Sequence, residues 1–386
     1  MFVKRDIQQQ LEKMLGLFPL LSLTGPRQSG KTTLLLNAFP NYKYYNLERV
    51  DYRHLIMEDP LGFLRSNGPG IIFDEAQNLP ELFSYIQVVS DENGTTGQYL
   101  LSGSQSFLMN RHISQSLAGR VYVSHLLPFS FNEIGIRGDV FSTIHKGFYP
   151  RLVEKCIDAG DFYPSYLQTY VERDIRSLKA IEDLNTFTRF LALCAGRVGQ
   201  ILNLTSLAND AGIAVNTVKS WISLLEASYI VFLVQPYHNN FSKRIIKSPK
   251  LYFYDTGVAC SLLRIGSAEM LKTHYLYGSL FENMVISDIL KQFYNLGKQP
   301  NIYYWRESNG TEVDCILELT STSRIAIEIK AGQTFSKDYL RNLKKYPDST
   351  AKKVVVYAGE EPIKTGEFSL LPWSGITNIV EKGLMQ

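Results

Sequence analysis

Residues Gly25-Pro26-Arg27-Gln28-Ser29-Gly30-Lys31-Thr32 spell G-x-x-x-x-G-K-T, followed by Thr33. Glycines at those two places let a backbone curl until its N–H groups converge on phosphate oxygens at a helix N-terminus. In this pattern the lysine, Lys31, reaches the β- and γ-phosphates and the hydroxyl of Thr32 binds Mg²⁺. The stretch from Gly25 to Thr33 is therefore the expected nucleotide-binding loop. Further on, Gly70-Ile71-Ile72-Phe73-Asp74-Glu75-Ala76-Gln77 is an apolar run ending in two acids, the partner such a loop needs. Asp74 is expected in the Mg²⁺ shell, and Glu75 is expected to orient or deprotonate an attacking water. The plainer alternative is a strand that ends in a solvated acidic turn.

Two more polar groups fit the same chemistry. The run from Gln98 to Leu101 ends in Ser102-Gly103-Ser104-Gln105-Ser106. A polar residue at such a strand end contacts the γ-phosphate or the lytic water; Ser104 fits that role first and Ser102 second, against an ordinary Ser/Gly turn. Ser116-Leu117-Ala118-Gly119-Arg120-Val121 places one arginine between a helix and a strand. Arg120 is expected to stabilise charge on the γ-phosphate, in cis or from a neighbouring subunit of a homo-oligomer, or else to be a surface arginine.

A second constellation lies near the other end. Asp314 is followed, after thirteen residues, by Glu328-Ile329-Lys330, and Glu282 precedes them on a helical run. Strand alternation puts Glu328 and Lys330 on one face, and a hairpin brings Asp314 beside them. Asp314 and Glu328, helped by Glu282, would hold Mg²⁺ while Lys330 positions a water against a phosphodiester. This is the spacing of a PD-(D/E)xK nuclease core. The alternative is a salt-bridged sheet face without metal.

The elements carrying these groups follow from pattern. Asp6 to Leu15 predicts a helix, and strand-like runs near residues 20, 43, 71, 98 and 121 alternate with helical ones. That order gives an α/β domain with a parallel sheet and nucleotide at the carboxyl ends of its strands. Residues from about 140 to 275 are mostly helical. Leu204 to Gly212, then Asn216 capping Thr217 to Ala227, then a strand from Ile230 to Val234, make a winged-helix-like unit. Its second helix offers Asn216, Thr217, Lys219 and Ser220, with Lys243, Arg244, Lys247 and Lys250 nearby as a modest basic patch. An interdomain packing role is the alternative. Beyond residue 276 the order helix, three strands, helix, strand is that of a second α/β domain. The expected domains are 1–140, 141–275 and 276–386.

Composition excludes several classes. A hydrophobic content of 45% with 20% charged residues is ordinary for a soluble globular chain. The formal charge of +3 is too small to argue for nucleic acid by itself. Four scattered cysteines without a C-x-x-C pair suit neither a disulfide framework nor a zinc site, and fit a reducing compartment. No apolar run approaches the ~18 residues of a membrane span. The opening Met1-Phe2-Val3-Lys4-Arg5-Asp6 is not a signal peptide. A cytoplasmic location is expected.

Taken together these residues resemble a family of prokaryotic AAA-type (AAA_14-like) P-loop ATPases with a C-terminal domain of unknown function, DUF4143. The motifs that carry the resemblance are Gly25-x4-Gly30-Lys31-Thr32, Ile72-Phe73-Asp74-Glu75-Ala76-Gln77, Leu101-Ser102-Gly103-Ser104, Ala118-Gly119-Arg120 and Phe148-Tyr149-Pro150-Arg151. Lys250-Leu251-Tyr252-Phe253-Tyr254-Asp255-Thr256-Gly257, Gly278-x3-Glu282-Asn283, Tyr304-Trp305-Arg306, Glu312-Val313-Asp314 and Glu328-Ile329-Lys330 continue it. The resemblance implies an AAA+/STAND-like ATP-hydrolysing domain using ATP and Mg²⁺, a winged-helix linker and a nuclease-like C-terminal domain acting on DNA. The leading expectation is an ATPase whose nucleotide state controls that nuclease. The competing ones are a switch whose C-terminal domain binds without cutting, and a scaffold that oligomerises on ATP.

Overall fold

In the computed structural model, the residues described are 3–104, 109, 113, 115–136, 138–170, 181, 183–237 and 248–385. Gln105 and Ser106 and the basic residues Lys243, Arg244 and Lys247 lie outside them. The chain divides into two compact units. The first holds Met1–Pro128 with Ala227–Tyr229 and Tyr294–Lys298; the second holds Phe129–Glu226, Ile230–Phe293 and Gln299–Gln386.

The first unit is built on strands β1 (Leu20–Thr24), β2 (Lys43–Asn46), β3 (Ile71–Asp74), β4 (Tyr99–Gly103) and β5 (Val121–His125). They form one parallel sheet in the order β2-β3-β4-β1-β5. Both faces of the central strands are covered, so β1, β3 and β4 are buried throughout. Leu21, Leu23, Ile72 and Leu100 pack against Leu11, Leu15, Leu34 and Leu35 of helices Gln8–Leu15 and Lys31–Ala38. Leu20, Ile71, Phe73, Tyr99 and Leu101 face the other way, onto Ile56, Leu64, Leu82 and Ile86. Period-two alternation thus feeds two cores from one sheet. Two helices, Val50–Glu58 and Pro60–Asn67, follow β2; Asp59 caps the second, accepting from Gly62 N–H at 2.9 Å. With β4 between β1 and β3, the glycine loop and the Asp74-Glu75 pair leave the same sheet edge with one strand between them.

The second unit carries an eight-stranded mixed sheet. Its strands are β6 (Val231–Pro236), β7 (Lys250–Phe253), β8 (Ile302–Arg306), β9 (Glu312–Glu318), β10 (Arg324–Lys330), β11 (Lys352–Tyr357), β12 (Ile363–Thr365) and β13 (Phe368–Pro372). Their order is β12-β13-β11-β10-β9-β8-β6-β7. Helix Tyr277–Asn295 is buried along most of its length, and its Asn283 bonds both backbone groups of Phe253, at 2.6 and 2.9 Å. That clamp satisfies edge-strand groups that would otherwise be open.

Here the structure departs from the sequence reading. Helices Leu204–Ala211 and Val215–Ala227 flank Gly212, which takes φ 72°, and the β6–β7 hairpin follows them. The second helix starts at Val215, one residue before the expected Asn216 cap. The hairpin is no free wing, because Gln235 and Pro236 of β6 pair with Tyr303 and Tyr304 of β8. The division expected near residue 275 therefore falls inside a continuous sheet. Asn216, Lys219 and Ser220 are exposed, but Lys250 is 3% exposed and belongs to no surface patch. The Asp255 carboxylate accepts from Phe148 N–H at 2.7 Å, Tyr163 hydroxyl at 2.7 Å and Gly257 N–H at 2.9 Å. The Phe148 and Asp255 motifs thus meet as a packing device.

Candidate functional site

The phosphate loop begins where β1 ends. Gly25 has φ 155°, and a Cβ there would lie 2.1 Å from the Leu126 carbonyl oxygen, so only glycine fits. Gly30, at φ 92°, turns the chain into helix Lys31–Ala38. The Lys31 ammonium folds over the loop and donates to the carbonyls of Gly25 and Pro26, at 2.9 Å each. From beneath, Arg5 donates to the Ser29 carbonyl at 2.8 Å and to the Leu127 carbonyl at 2.7 Å. Nothing in the spacing of a lone arginine so far upstream signals that clamp.

Around the acids, hydroxyl groups converge. Asp74 Oδ2 accepts from Thr32 Oγ1 at 2.7 Å and from the Tyr44 hydroxyl at 2.8 Å. Asp74 Oδ1 accepts from the Ser102 hydroxyl. Burial, and next Asp74, raises the Tyr44 phenol above its ordinary range, so it stays a donor. Glu75 sits at φ 51°, a left-handed conformation costing a non-glycine residue of order 1–3 kcal/mol. Its Oε2 accepts from Gln77 Nε2 at 2.5 Å and Ser104 Oγ at 3.0 Å. Ser104, expected on phosphate or water, thus spends its hydroxyl on Glu75, and Ser102 spends its own on Asp74.

Arg120 is different. It precedes β5, at the sheet edge where the strands begin, and its carbonyl accepts from Leu20 N–H at 3.2 Å. Its guanidinium pairs with Asp91 through Nε at 2.6 Å and Nη2 at 2.8 Å. A role in cis is excluded by that geometry, because the phosphate loop leaves the opposite edge.

Below the loop, Thr24 Oγ1, His125 Nδ1 and the Tyr229 hydroxyl lie 2.7–2.9 Å from one another. Burial pushes His125 down from 6.5 to about 4. The unfolded chain takes up a proton below 6.5 that the native site refuses until about 4. Stability is therefore full above 6.5 and falls by about 3 kcal/mol as pH drops toward 4. Urea unfolding at pH 7 and 4.5 checks this: His125→Gln should lose less stability than wild type, and parallel losses would contradict it.

In the second unit, β9 and β10 bring Asp314, Glu328 and Lys330 together as expected. Lys330 Nζ is 2.7 Å from Glu328 Oε1 and 3.9 Å from Asp314 Oδ2. Asp314 Oδ2 also accepts from Ile329 N–H at 2.7 Å, and Glu328 Oε1 from Asn342 at 3.0 Å. A second cation, unforeseen there, completes the cluster. Lys250 Nζ lies 3.1 Å from Glu282 Oε1 and 2.5 Å from Glu312 Oε1. Burial raises Glu282, Asp314 and Glu328 above the carboxylate range. Burial alone would lower Lys250, yet Glu282, Asp314 and Glu312 hold it above its usual value. Among the described residues no three acid, histidine or thiol side chains are grouped to hold a metal ion. Of the expected Mg²⁺ set, Asp314 and Glu328 face Lys330 while Glu282 faces Lys250, so two ammonium groups share the cluster with these acids.

A parallel sheet with an inserted strand, a glycine loop after β1 and an Asp-Glu pair after β3 define the first unit as a P-loop ATPase-like domain. Comparison with known families agrees. Residues 18–135 match the AAA domain family (AAA_14), residues 137–269 a domain of unknown function (DUF8612), and residues 277–376 a domain of unknown function (DUF4143). An uncharacterized protein of Mycobacterium tuberculosis is 29% identical over 361 residues, covering 92% of this chain and 80% of its own. One of Methanocaldococcus jannaschii is 23% identical over 417 residues, covering 94% and 85%. Among solved structures, a Walker-type ATPase of Pyrococcus abyssi aligns with a TM-score of 0.41 at 16% identity, over 68% of this chain and 96% of that one. AMPPCP-bound DnaA of Aquifex aeolicus aligns at 0.28 with 14% identity, over 57% and 85%. Those scores are too low to bear on function. No helix among the described residues is long and apolar enough to cross a membrane.

Proposed function

We propose that the chain binds ATP at the Gly25–Thr33 loop and hydrolyses it with Glu75 as general base. The observation that carries this reading is the 2.7 Å contact between Thr32 Oγ1 and Asp74 Oδ2, with Glu75 next along the chain. A hydroxyl and a carboxylate side by side suit Mg²⁺, which takes few protein oxygens and keeps water and phosphate for the rest. Bound there, the ion would neutralise charge on the phosphates. The loop N–H groups and Lys31 hold the phosphate chain, which requires Lys31 to exchange the Gly25 and Pro26 carbonyls for phosphate oxygens. Glu75 takes a proton from water while the water oxygen bonds to the γ-phosphorus. The bond from that phosphorus to the bridging oxygen breaks, and ADP leaves with the electron pair. Phosphate release from ATP in the presence of Mg²⁺ tests the proposal; release unchanged by EDTA would overturn it.

For the second unit, the paired lysines favour the alternative in which this module binds DNA or a protein without cutting it. Lys250 and Lys330 offset two of the four carboxylate charges of Glu282, Glu312, Asp314 and Glu328, which lessens the pull on a metal ion. Supercoiled plasmid with Mg²⁺ or Mn²⁺ should stay closed. Nicking that disappears in Asp314→Ala would restore the nuclease reading. Arg120 could serve a neighbouring subunit only by releasing Asp91, which ties an oligomeric role to that exchange.

A further inference from the structure

The DEAQ run contains a residue to which the ATPase reading gives no task. Gln77 lies on the short 3₁₀ turn after Glu75 and is 8% exposed. Its amide is oriented by chemistry: a carboxylate only accepts, so the NH₂ group faces Glu75 and makes the 2.5 Å bond to Oε2. The amide oxygen then points away, buried and without a hydrogen-bond partner among the described residues. It lies where Gly103 has no side chain, since a Cβ on Gly103 would stand 2.4 Å from it. A buried carbonyl left unsatisfied costs stability. That cost accompanies a defined geometry at Glu75. Gln77 and the hydroxyl and N–H of Ser104 all donate to Oε2, at 2.5, 3.0 and 3.4 Å. Glu75 Oε1 accepts nothing among the described residues. One oxygen is anchored and the other is presented.

We propose that Gln77 is a positioning residue that fixes Glu75 through Oε2 and so aims Oε1 at the attacking water. This rests on the ATPase reading above. Gly103 belongs to the same device, because only its bare Cα leaves room for the amide. Removing the amide frees the Glu75 side chain to rotate, and misplacing a catalytic group by about an ångström costs up to about a hundredfold in rate.

Steady-state ATP hydrolysis by Gln77→Leu tests it. The expected result is a kcat lower by about tenfold or more, with KM for ATP within about twofold of wild type. In a Glu75→Gln background, single-turnover hydrolysis should show no further loss from Gln77→Leu, because the amide acts only through Glu75. Gly103→Ala should reproduce the kcat loss from the opposite side. Melting temperature and ATP binding report whether each variant is folded. Where Gln77→Leu is not, Ser104→Ala, which removes another donor from the same oxygen, should give the same pattern of lower kcat at unchanged KM. An unchanged or higher kcat, a loss confined to KM, or an equal loss in the Glu75→Gln background would overturn the proposal. Lys31-dependent turnover that persists at full rate in Gln77→Leu defeats this inference alone; wild type without Lys31-dependent turnover defeats the ATPase reading and this with it.

Discussion

Glu75→Gln should bind ATP as wild type does and hydrolyse it about 10²- to 10⁴-fold more slowly, the range a positioned general base contributes. The substitution keeps the size of the side chain and an oxygen able to accept from Ser104 and Gln77. It removes only the charge and the capacity to take a proton. The Lys31 loop and the Thr32–Asp74 pair, which would hold the phosphates and the ion, are untouched by it. Binding and turnover must therefore separate. Titration of labelled ATP and measurement of phosphate release on one preparation check both halves. Loss of binding together with turnover would place Glu75 in the scaffold of the loop; undiminished turnover would remove it from the chemistry.

Lys250→Met should destabilise the second unit by about 3–5 kcal/mol, as expected when one partner of a buried ion pair is removed. Lys250 is 3% exposed and holds both Glu282 and Glu312. Without it, Glu282 keeps only the Tyr252 hydroxyl, at 2.5 Å, among its described hydrogen-bond partners. Neutralising the freed acid should restore part of the loss. A Lys250→Met/Glu282→Gln double variant is thus expected to be more stable than Lys250→Met alone. Denaturant midpoints of the single and double variants measure this. A single-variant loss below about 1 kcal/mol would mean that the carboxylates are satisfied some other way.

Much of the first unit was legible because its chemistry is local. Gly25, Gly30, Lys31 and Thr32 sit within one turn, and Asp74-Glu75 close an unmistakable apolar strand. The parallel sheet follows from the alternation of strand-like and helical runs, while the order with β4 between β1 and β3 is set by the fold. What escaped reading depends on contacts distant in sequence. Arg5 reaches Ser29 and Leu127, and Tyr229 reaches Thr24 and His125; no spacing rule links such residues. The bond from Ser104 to Glu75 was not legible either, since the sequence does not say which way Glu75 turns. In the second unit the acids and Lys330 were visible as strand alternation. Lys250 was not, because it lies on a hairpin that reads as a separate wing and proves to continue the sheet. That one lysine adds charge pairing to a cluster that the spacing of the acids alone suggests for a metal.

Hydrolysis of ATP at the Gly25–Thr33 loop should depend on Lys31 and on Mg²⁺. The most direct measurement is phosphate release from ATP with Mg²⁺ by wild type and Lys31→Ala, purified side by side. The expected result is turnover in wild type that EDTA abolishes and that falls by about 10²- to 10³-fold in the variant, the loss typical of removing one charge-stabilising donor. Equal rates in the two proteins would contradict it.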